Sequence, residues 1–254
     1  MDLLPVIQLI NVHKSFDDLH VLKGVNLELR EGETLVILGR SGTGKSVTLK
    51  HIVGLLEPDS GQILVDGMDV TTAGQKELAE IRSKVAYLFQ TGALVNWMSV
   101  RENVALPLVE RRQLNPTQID ERVDRALAAL DMLTAAERMP AQISGGMRKR
   151  AALARVLVQE PRTILYDEPT AGLDPIMART VGGLINGVQS MGDRAAIVVT
   201  HDLELAFAVG TRIGLHHEGQ LVELAEPEEF RNSDHPVIRS FLDGGSDQQE
   251  DQNR

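Results

Sequence analysis

The sequence predicts an α/β fold, a mixed sheet core interrupted by a helical insert. Three observations carry that prediction. Short apolar, β-branched runs recur at residues 34–38, 84–89, 163–166 and 195–200, with the length and composition of buried strands. Helical periodicity lies between them: Leu49, Ile52, Val53 and Leu56 fall at i, i+3, i+4 and i+7 on one face. A glycine-rich run, GRSGTGKS at residues 39–46, joins the first of these strands to that helix.

Taken in order, the first third reads as strands at residues 6–12, 21–29 and 34–38. A further strand at 63–65 follows the turn Pro58-Asp59-Ser60-Gly61, and another covers 84–89. Residues 91–159 turn helical. Asn115, Pro116 and Gln118 supply an N-cap, a proline at the first helical position and a capping-box partner. Ile119, Val123, Leu127 and Leu130 then form an apolar stripe. Strands return at 163–166 and 195–200 with a helix between them. A last pair at 212–216 and 220–224 flanks the turn Glu218-Gly219. The end, GGSDQQEDQNR, is polar and glycine-led and predicts a disordered tail. The expected organisation is one domain over 1–243, with core segments 1–90 and 160–225, a helical subdomain at 91–159, a C-terminal segment at 226–243 and the tail at 244–254.

Composition narrows the classes. The chain has 254 residues, 43% hydrophobic, enough for one large domain, and 3% aromatic, so the core must be aliphatic. Lys plus Arg number 26 against 36 Asp plus Glu, and the net charge of −10 argues against nucleic acid as a partner. With no cysteine there is neither a disulfide framework nor a thiolate metal site. No apolar stretch approaches the roughly 18 residues of a membrane span, and MDLLPVIQLINVHKSF lacks the pattern of a signal peptide. These features predict a cytoplasmic protein, any membrane role of which needs a separate partner chain.

The run at 39–46 fits Gly-x-x-x-x-Gly-Lys-[Ser/Thr] in the context that motif requires, strand before and helix after. Backbone amides at Gly42, Thr43 and Gly44 can turn around phosphates, Lys45 adds a point charge, and the Ser46 hydroxyl can reach Mg²⁺. The helix start contributes free N–H groups and a positive dipole end. The ligand class is a nucleoside triphosphate with magnesium. The strand Ile164-Leu165-Tyr166 ends in Asp167 and Glu168, the chemistry such a loop lacks. Asp167 can hold Mg²⁺ and Glu168 can polarise an attacking water, with strand alternation sending the two apart.

Three further features fit. In ISGGMRKRAALARVL, Ser144 is an N-cap, and Gly145 and Gly146 leave first-turn amides uncovered. Arg148, Lys149 and Arg150 crowd those turns, where the dipole disfavours cations. An anion bound at the helix start and a solvated basic face explain them equally well. His201 follows the strand 195–200 at the edge where sites gather in α/β sheets, and Gln90 ends the strand 84–89 within reach of water or metal. Taken singly, each is commonly an ordinary polar strand end.

Together these residues resemble the ATP-binding subunit of an ABC transporter, over about residues 6–243. GRSGTGKS is similar to the Walker A loop, ILYDE to the Walker B strand, Gln90 to the Q-loop and Ser144-Gly145-Gly146-Met147 to the signature. Ala171-Gly172-Leu173-Asp174 is similar to the D-loop and His201 to the switch histidine. The commonest signature carries Gln where Met147 stands. That Met, the runs GRSGTGKSVTLKHIVGLL and FQTGALVNWMSVRENVALPL and the ending IRSFLDG resemble the Mla/Mkl subgroup that serves MCE-type lipid transport.

The resemblance implies a P-loop NTPase fold, with a RecA-like mixed sheet, an N-terminal antiparallel β subdomain and an inserted α-helical subdomain. It implies ATP and Mg²⁺ as ligands and a head-to-tail homodimer. One copy would hold the nucleotide through Gly39, Arg40, Ser41, Gly42, Thr43, Gly44, Lys45, Ser46 and Val47, with Phe16 stacked on adenine. Ser144, Gly145, Gly146 and Met147 of the other copy would close over it. Ser46, Gln90 and Asp167 are the implied metal residues. Glu168 would be the base, with His201 and Gln90 beside it and Asp174 bridging the copies. The residues after Gln90, namely Leu94, Val95, Trp97 and Met98, are candidates for docking a membrane permease, or else the helical subdomain's own core. The implied place is the inner face of the cell membrane, bound through that permease, with an MCE lipid-binding protein in the complex. The alternatives are a regulatory ATPase of the cell-division type, or a transporter ATPase with another substrate.

Overall fold

A computed structural model describes residues 5–190 and 194–244. Residues 245–254, nearly all of the expected disordered tail, lie outside the described residues. The chain opens with an antiparallel hairpin, β1 (Ile7–Phe16) and β2 (Leu19–Leu29), paired from Ile7 with Leu29 to Phe16 with Leu19. β1 runs four residues beyond its predicted end. Its outer part, HKSF, has no apolar alternation; pairing with β2, and contacts from Asp59 and Ser60 farther along the chain, hold it extended.

β3 (Thr34–Leu38) leads through the glycine-rich loop into α1 (Lys45–Ile52). This helix is shorter than the periodicity predicts. Gly54, at φ 62°, ends it: its N–H donates to the His51 carbonyl, and Leu55 N–H to the Lys50 carbonyl. Leu56 therefore lies beyond the helix rather than on its face.

β4 (Ser60–Val65) and β5 (Met68–Asp69) complete a four-stranded sheet in the order β2-β1-β4-β5. α2 (Gln75–Lys84) then precedes β6 (Val85–Leu88), so the strand predicted from residue 84 starts one residue later. The sequence did not predict α2. Ile81 is its only fully buried residue, so there is no apolar stripe to detect.

The helical segment holds α3 (Val100–Arg111), α4 (Pro116–Ala128) and α5 (Gly145–Leu157), with two short 3-10 turns between α4 and α5. The capping box at α4 forms as predicted: Gln118 N–H donates to Asn115 Oδ1 and Asn115 N–H to Gln118 Oε1, both at 3.0 Å. The chain continues through β7 (Thr163–Asp167), α6 (Pro175–Gln189), β8 (Ala195–Thr200), α7 (Leu203–Val209), β9 (Arg212–His217) and β10 (Gln220–Ala225). It closes with α8 (Pro227–Arg231) and α9 (Pro236–Leu242).

The second sheet has six strands in the order β10-β9-β3-β8-β7-β6, parallel except for β10 against β9. Both of its faces are covered, which is why its central strands read as continuous apolar runs. Alternate residues of β3 serve two cores. Leu35 and Ile37 pack toward α1 and the four-stranded sheet, whereas Val36 and Leu38 pack toward α3, α5, α6 and α7. The fold is that of a P-loop NTPase with a mixed sheet, an antiparallel β subdomain and an inserted helical subdomain. Leu38 pairs with Thr200 and Asp167 with Val199, so the loop after β3, Glu168 and His201 all leave one edge of the sheet.

Candidate functional site

The loop at residues 39–46 is held open by glycines and anchored by a lysine. Gly44 has φ 109°, and a Cβ there would come within 3.1 Å of the His216 ring. A Cβ on Gly39 would strike the His216 carbonyl at 2.7 Å, so neither position accepts a side chain without movement. Lys45 is buried. Its ammonium donates to the carbonyls of Gly39 at 2.8 Å and Arg40 at 2.9 Å, bending the loop around the side chain.

The end of β7 supplies two carboxylates with separate partners. Ser46 Oγ donates to Asp167 Oδ1 at 2.6 Å, and the Tyr87 hydroxyl donates to Asp167 Oδ2 at 2.8 Å. Burial and the Asp167 carboxylate both push the Tyr87 phenol up, so it stays protonated and donating. Glu168 turns away because its backbone enters the left-handed region, at φ 46°. Its Oε1 lies 3.3 Å from Lys45 Nζ and its Oε2 lies 2.9 Å from His201 Nδ1.

Lys45, Ser46 and Glu168 face one cleft of about 330 Å³, which Phe16, Val21, Ser41, Gly42, Gly44, Val47 and Gln90 also line. Asp167 and His201 are not in that lining and reach it through Ser46 and Glu168. Phe16 is 41% exposed at its rim, not core as its pattern alone suggests. Gln90 is exposed at the mouth. Arg40 and Thr43 instead line a separate cavity behind the loop, bounded by His216, His217 and α9. The loop turn is also braced there, since Thr43 Oγ1 donates to the Arg40 carbonyl.

Ser144, Gly145, Gly146, Met147 and Asp174 are not among the residues lining the cleft. Ser144 caps α5 by accepting from Met147 N–H at 3.2 Å, and Asp174 caps α6 through Oδ1, at 3.0 Å from both Ile176 and Met177 N–H. The three cations after the signature have a use that neither sequence reading anticipated. Arg148 donates to the Ile143 carbonyl, Lys149 to those of Pro169 and Ala171, and Arg150 to that of Leu130. They tie the helix start to neighbouring main chain.

The segment after Gln90 divides between its two predicted uses. Leu94 packs against the core of the helical subdomain, whereas Trp97 is 80% exposed. Buried Asn103 holds the loop. Its amide donates to the carbonyls of Val95, Met98 and Ser99, and its Oδ1 accepts from Val95 N–H.

Comparison with known proteins decides the family. The model for "ABC transporter" matches residues 22–171, more than half of the chain. The chain belongs to the ABC transporter family. It is 41% identical over 231 residues to the probable ribonucleotide transport ATP-binding protein Mkl of Mycobacterium tuberculosis. That match covers 91% of this chain and 64% of Mkl, so the chain spans less than two thirds of that relative's length. It is 35% identical over 227 residues to the intermembrane phospholipid transport system ATP-binding protein MlaF of Haemophilus influenzae, covering 89% of this chain and 86% of MlaF. Among solved structures, the dimeric ATP-binding cassette MJ0796, in a post-hydrolysis state bound to ADP and Pi, superposes with a TM-score of 0.80 and 31% identity. It covers 87% of this chain and 98% of that one.

The residues of this ABC protein fit magnesium and a nucleoside triphosphate. A hydroxyl and one carboxylate converge at Ser46 and Asp167, a donor set suited to a hard cation that keeps water and phosphate oxygens as its other ligands. Among the described residues no group of three or more His, Cys, Asp or Glu could hold a metal by itself. The sequence reading missed Tyr87, Asn103 and His216, and it noted Lys149 without its contacts. Tyr87, Lys149 and His216 meet groups far along the sequence, for which local spacing carries no signal, and Asn103 holds a nearby loop of no regular period. No helix among the described residues is long and apolar enough to cross a membrane.

Proposed function

We propose that this chain binds and hydrolyses MgATP as a head-to-tail pair and drives a membrane permease that moves phospholipid. The cleft carries the reading: it unites Lys45, Ser46 and Glu168, and leaves the signature residues outside. A second copy bringing Ser144, Gly145 and Gly146 to the nucleotide supplies the missing wall, and the dimeric state of the MJ0796 cassette supports that arrangement. Bound Mg²⁺ would offset phosphate charge as a Lewis acid, held on this chain by Ser46 and Asp167, with Gln90 beside them. Lys45 would hold the outer phosphates. Glu168, oriented by His201, would accept the proton of the attacking water.

Trp97, presented by the loop that Asn103 holds, is the proposed contact with the permease. It would keep the chain on the inner face of the membrane. A single domain over 1–243 is part of the same proposal, and the two sheets and inserted helices of the described residues support it. A phospholipid cargo rests on the likeness to MlaF and on the subgroup resemblance around Met147. The Mkl relatives are named for ribonucleotide transport, so a nucleotide cargo is the competing reading.

Gentle isolation of the native complex from its membrane tests both. Recovery of a permease, an MCE-domain protein and bound phospholipid supports the proposal. Recovery of a permease with a nucleotide-binding chain and no lipid favours the competitor. Recovery beside division proteins alone favours a regulatory ATPase.

A further inference from the structure

Lys149 stands two residues past Met147, the last residue of the signature, and its side chain reaches the main chain at 169–171 rather than lining the nucleotide cleft. It lies half-buried in the second turn of α5. Its ammonium donates to the Ala171 carbonyl at 2.5 Å and to the Pro169 carbonyl at 3.1 Å. Both carbonyls belong to the loop that runs from Glu168 to Asp174. Inside that loop, Ala171 N–H donates to the Glu168 carbonyl and Leu173 N–H to the Thr170 carbonyl. Thr170 Oγ1 donates to Asp202, beside His201.

A second contact reinforces the first. Met177, at the start of α6, packs so closely on Gly146 that a Cβ there would lie 2.9 Å from its terminal methyl. The helix bearing the signature is therefore braced against the loop bearing Glu168 through Lys149, and against α6, which follows that loop, through Met177. Burial lowers the Lys149 pKa, and the Glu168 charge opposes that shift, which places the ammonium within electrostatic range of the carboxylate.

We propose that Lys149 is a positioning residue that couples the two ATP sites of a dimer through one chain. The inference rests on the two-copy reading above. In that arrangement Glu168 acts on the nucleotide held by its own loop, while Ser144 closes the nucleotide of the partner. The two bonds from Lys149 then form a direct non-covalent link between the two sites. Closure of α5 over the partner's phosphate draws on the Pro169 and Ala171 carbonyls and so moves the peptide that carries Glu168. Coupling of this kind requires an element that both sites bias, and α5 with the 168–174 loop is such an element.

The test compares the full chain with Lys149→Met, Lys149→Gln and Lys149→Arg, measuring ATP hydrolysis against ATP concentration. Nucleotide affinity is measured separately at protein concentrations where the copies are unpaired. The unmodified chain is expected to show a Hill coefficient well above one. In Lys149→Met it should fall to about one, with kcat lowered roughly tenfold. Affinity for the unpaired chain should not change, because the loop at 39–46 is untouched. Lys149→Arg, able to donate to two carbonyls, should restore the cooperativity. Lys149→Gln, with one suitable donor group, should fall between, and it serves as the test if the Met variant does not fold. Unchanged cooperativity in the Met variant, or in the Gln variant when that one serves, overturns the inference. Absence of both cooperativity and ATP-dependent pairing in the unmodified chain removes the two-copy reading itself, an outcome visible before any variant is made.

Discussion

The Lys45 ammonium lies 3.3 Å from Oε1 of Glu168, in side chains only 5% and 9% exposed. The pair joins the loop after β3 to the end of β7, the two parts that this chain contributes to the proposed nucleotide site. An arriving phosphate must compete with Glu168 for this ammonium, and success would free the carboxylate for water. Lys45→Ala should lower ATP affinity by about 100-fold through loss of a charge-assisted contact. It should also cost about 3 kcal/mol of stability, because Glu168 is left buried without its cation. Adding Glu168→Gln to that variant should recover the stability and not the binding. Denaturant unfolding and equilibrium nucleotide binding separate the two effects. Recovery of both together would contradict the pairing described.

Tyr87 holds the second oxygen of Asp167, leaving the first toward Ser46. Tyr87→Phe keeps the ring beside Phe89 and removes only the hydroxyl. The Mg²⁺ concentration for half-maximal hydrolysis should rise roughly tenfold, the usual scale for losing a group that orients a metal ligand. Stability should fall by about 1 kcal/mol. A magnesium titration that superposes on that of the unmodified protein would show that the phenol does not orient Asp167.

His216 sits beneath the nucleotide loop with neither ring nitrogen hydrogen-bonded among the described residues. Burial, helped by Lys45 and His217, pushes its pKa down to about 4 from an ordinary 6.5. In the window between these values the unfolded chain takes up a proton that the folded chain refuses. The stability is therefore complete above the unfolded value and is lost as pH falls toward the folded one. The loss attributable to this residue is about 2 kcal/mol between roughly pH 7 and pH 5. His216→Met breaks no hydrogen bond and should remove that share of the acid sensitivity. Denaturant unfolding at the two pH values measures it, and an unchanged slope would place the acid sensitivity elsewhere.

Trp97 and Asn103 should separate docking from folding. Trp97→Ala touches an exposed side chain, so stability should stay within about 0.5 kcal/mol and the detached protein should hydrolyse ATP normally. Co-sedimentation with native membranes should fall sharply. Asn103→Ala removes the amide that holds the loop and should cost about 1 to 3 kcal/mol while impairing the same co-sedimentation. Full membrane retention by the Trp97 variant would relocate the docking surface.

The parts of this molecule that were legible in the sequence are those written locally. The loop at 39–46, the strand ending in Asp167 and the Ser144 cap each combine neighbouring residues whose chemistry depends on spacing. The continuous apolar runs of β3, β7 and β8 marked a sheet covered on both faces. α2 was illegible because a surface helix with one buried residue has no stripe. The end of α1 was misplaced because Leu56 continues the apolar period of Leu49, Ile52 and Val53 past Gly54, whose left-handed backbone ends the helix. Tyr87, Lys149 and His216 gain their roles from contacts across the fold. The cations at 148–150 show the limit most directly: spacing posed the question of why they stand at a helix start, and only the carbonyls of Ile143, Leu130, Pro169 and Ala171 answer it.

The central claim is that one chain holds half of each ATP site and that Glu168 is the base. Light scattering and ATP turnover of Glu168→Gln with Mg²⁺ and ATP test it most directly. A stable dimer with two trapped ATP molecules is expected, with turnover reduced by about 100-fold or more, the scale of losing a general base. Glu168→Gln that remains monomeric with ATP and still hydrolyses it at the unmodified rate would overturn both the shared site and the role of Glu168.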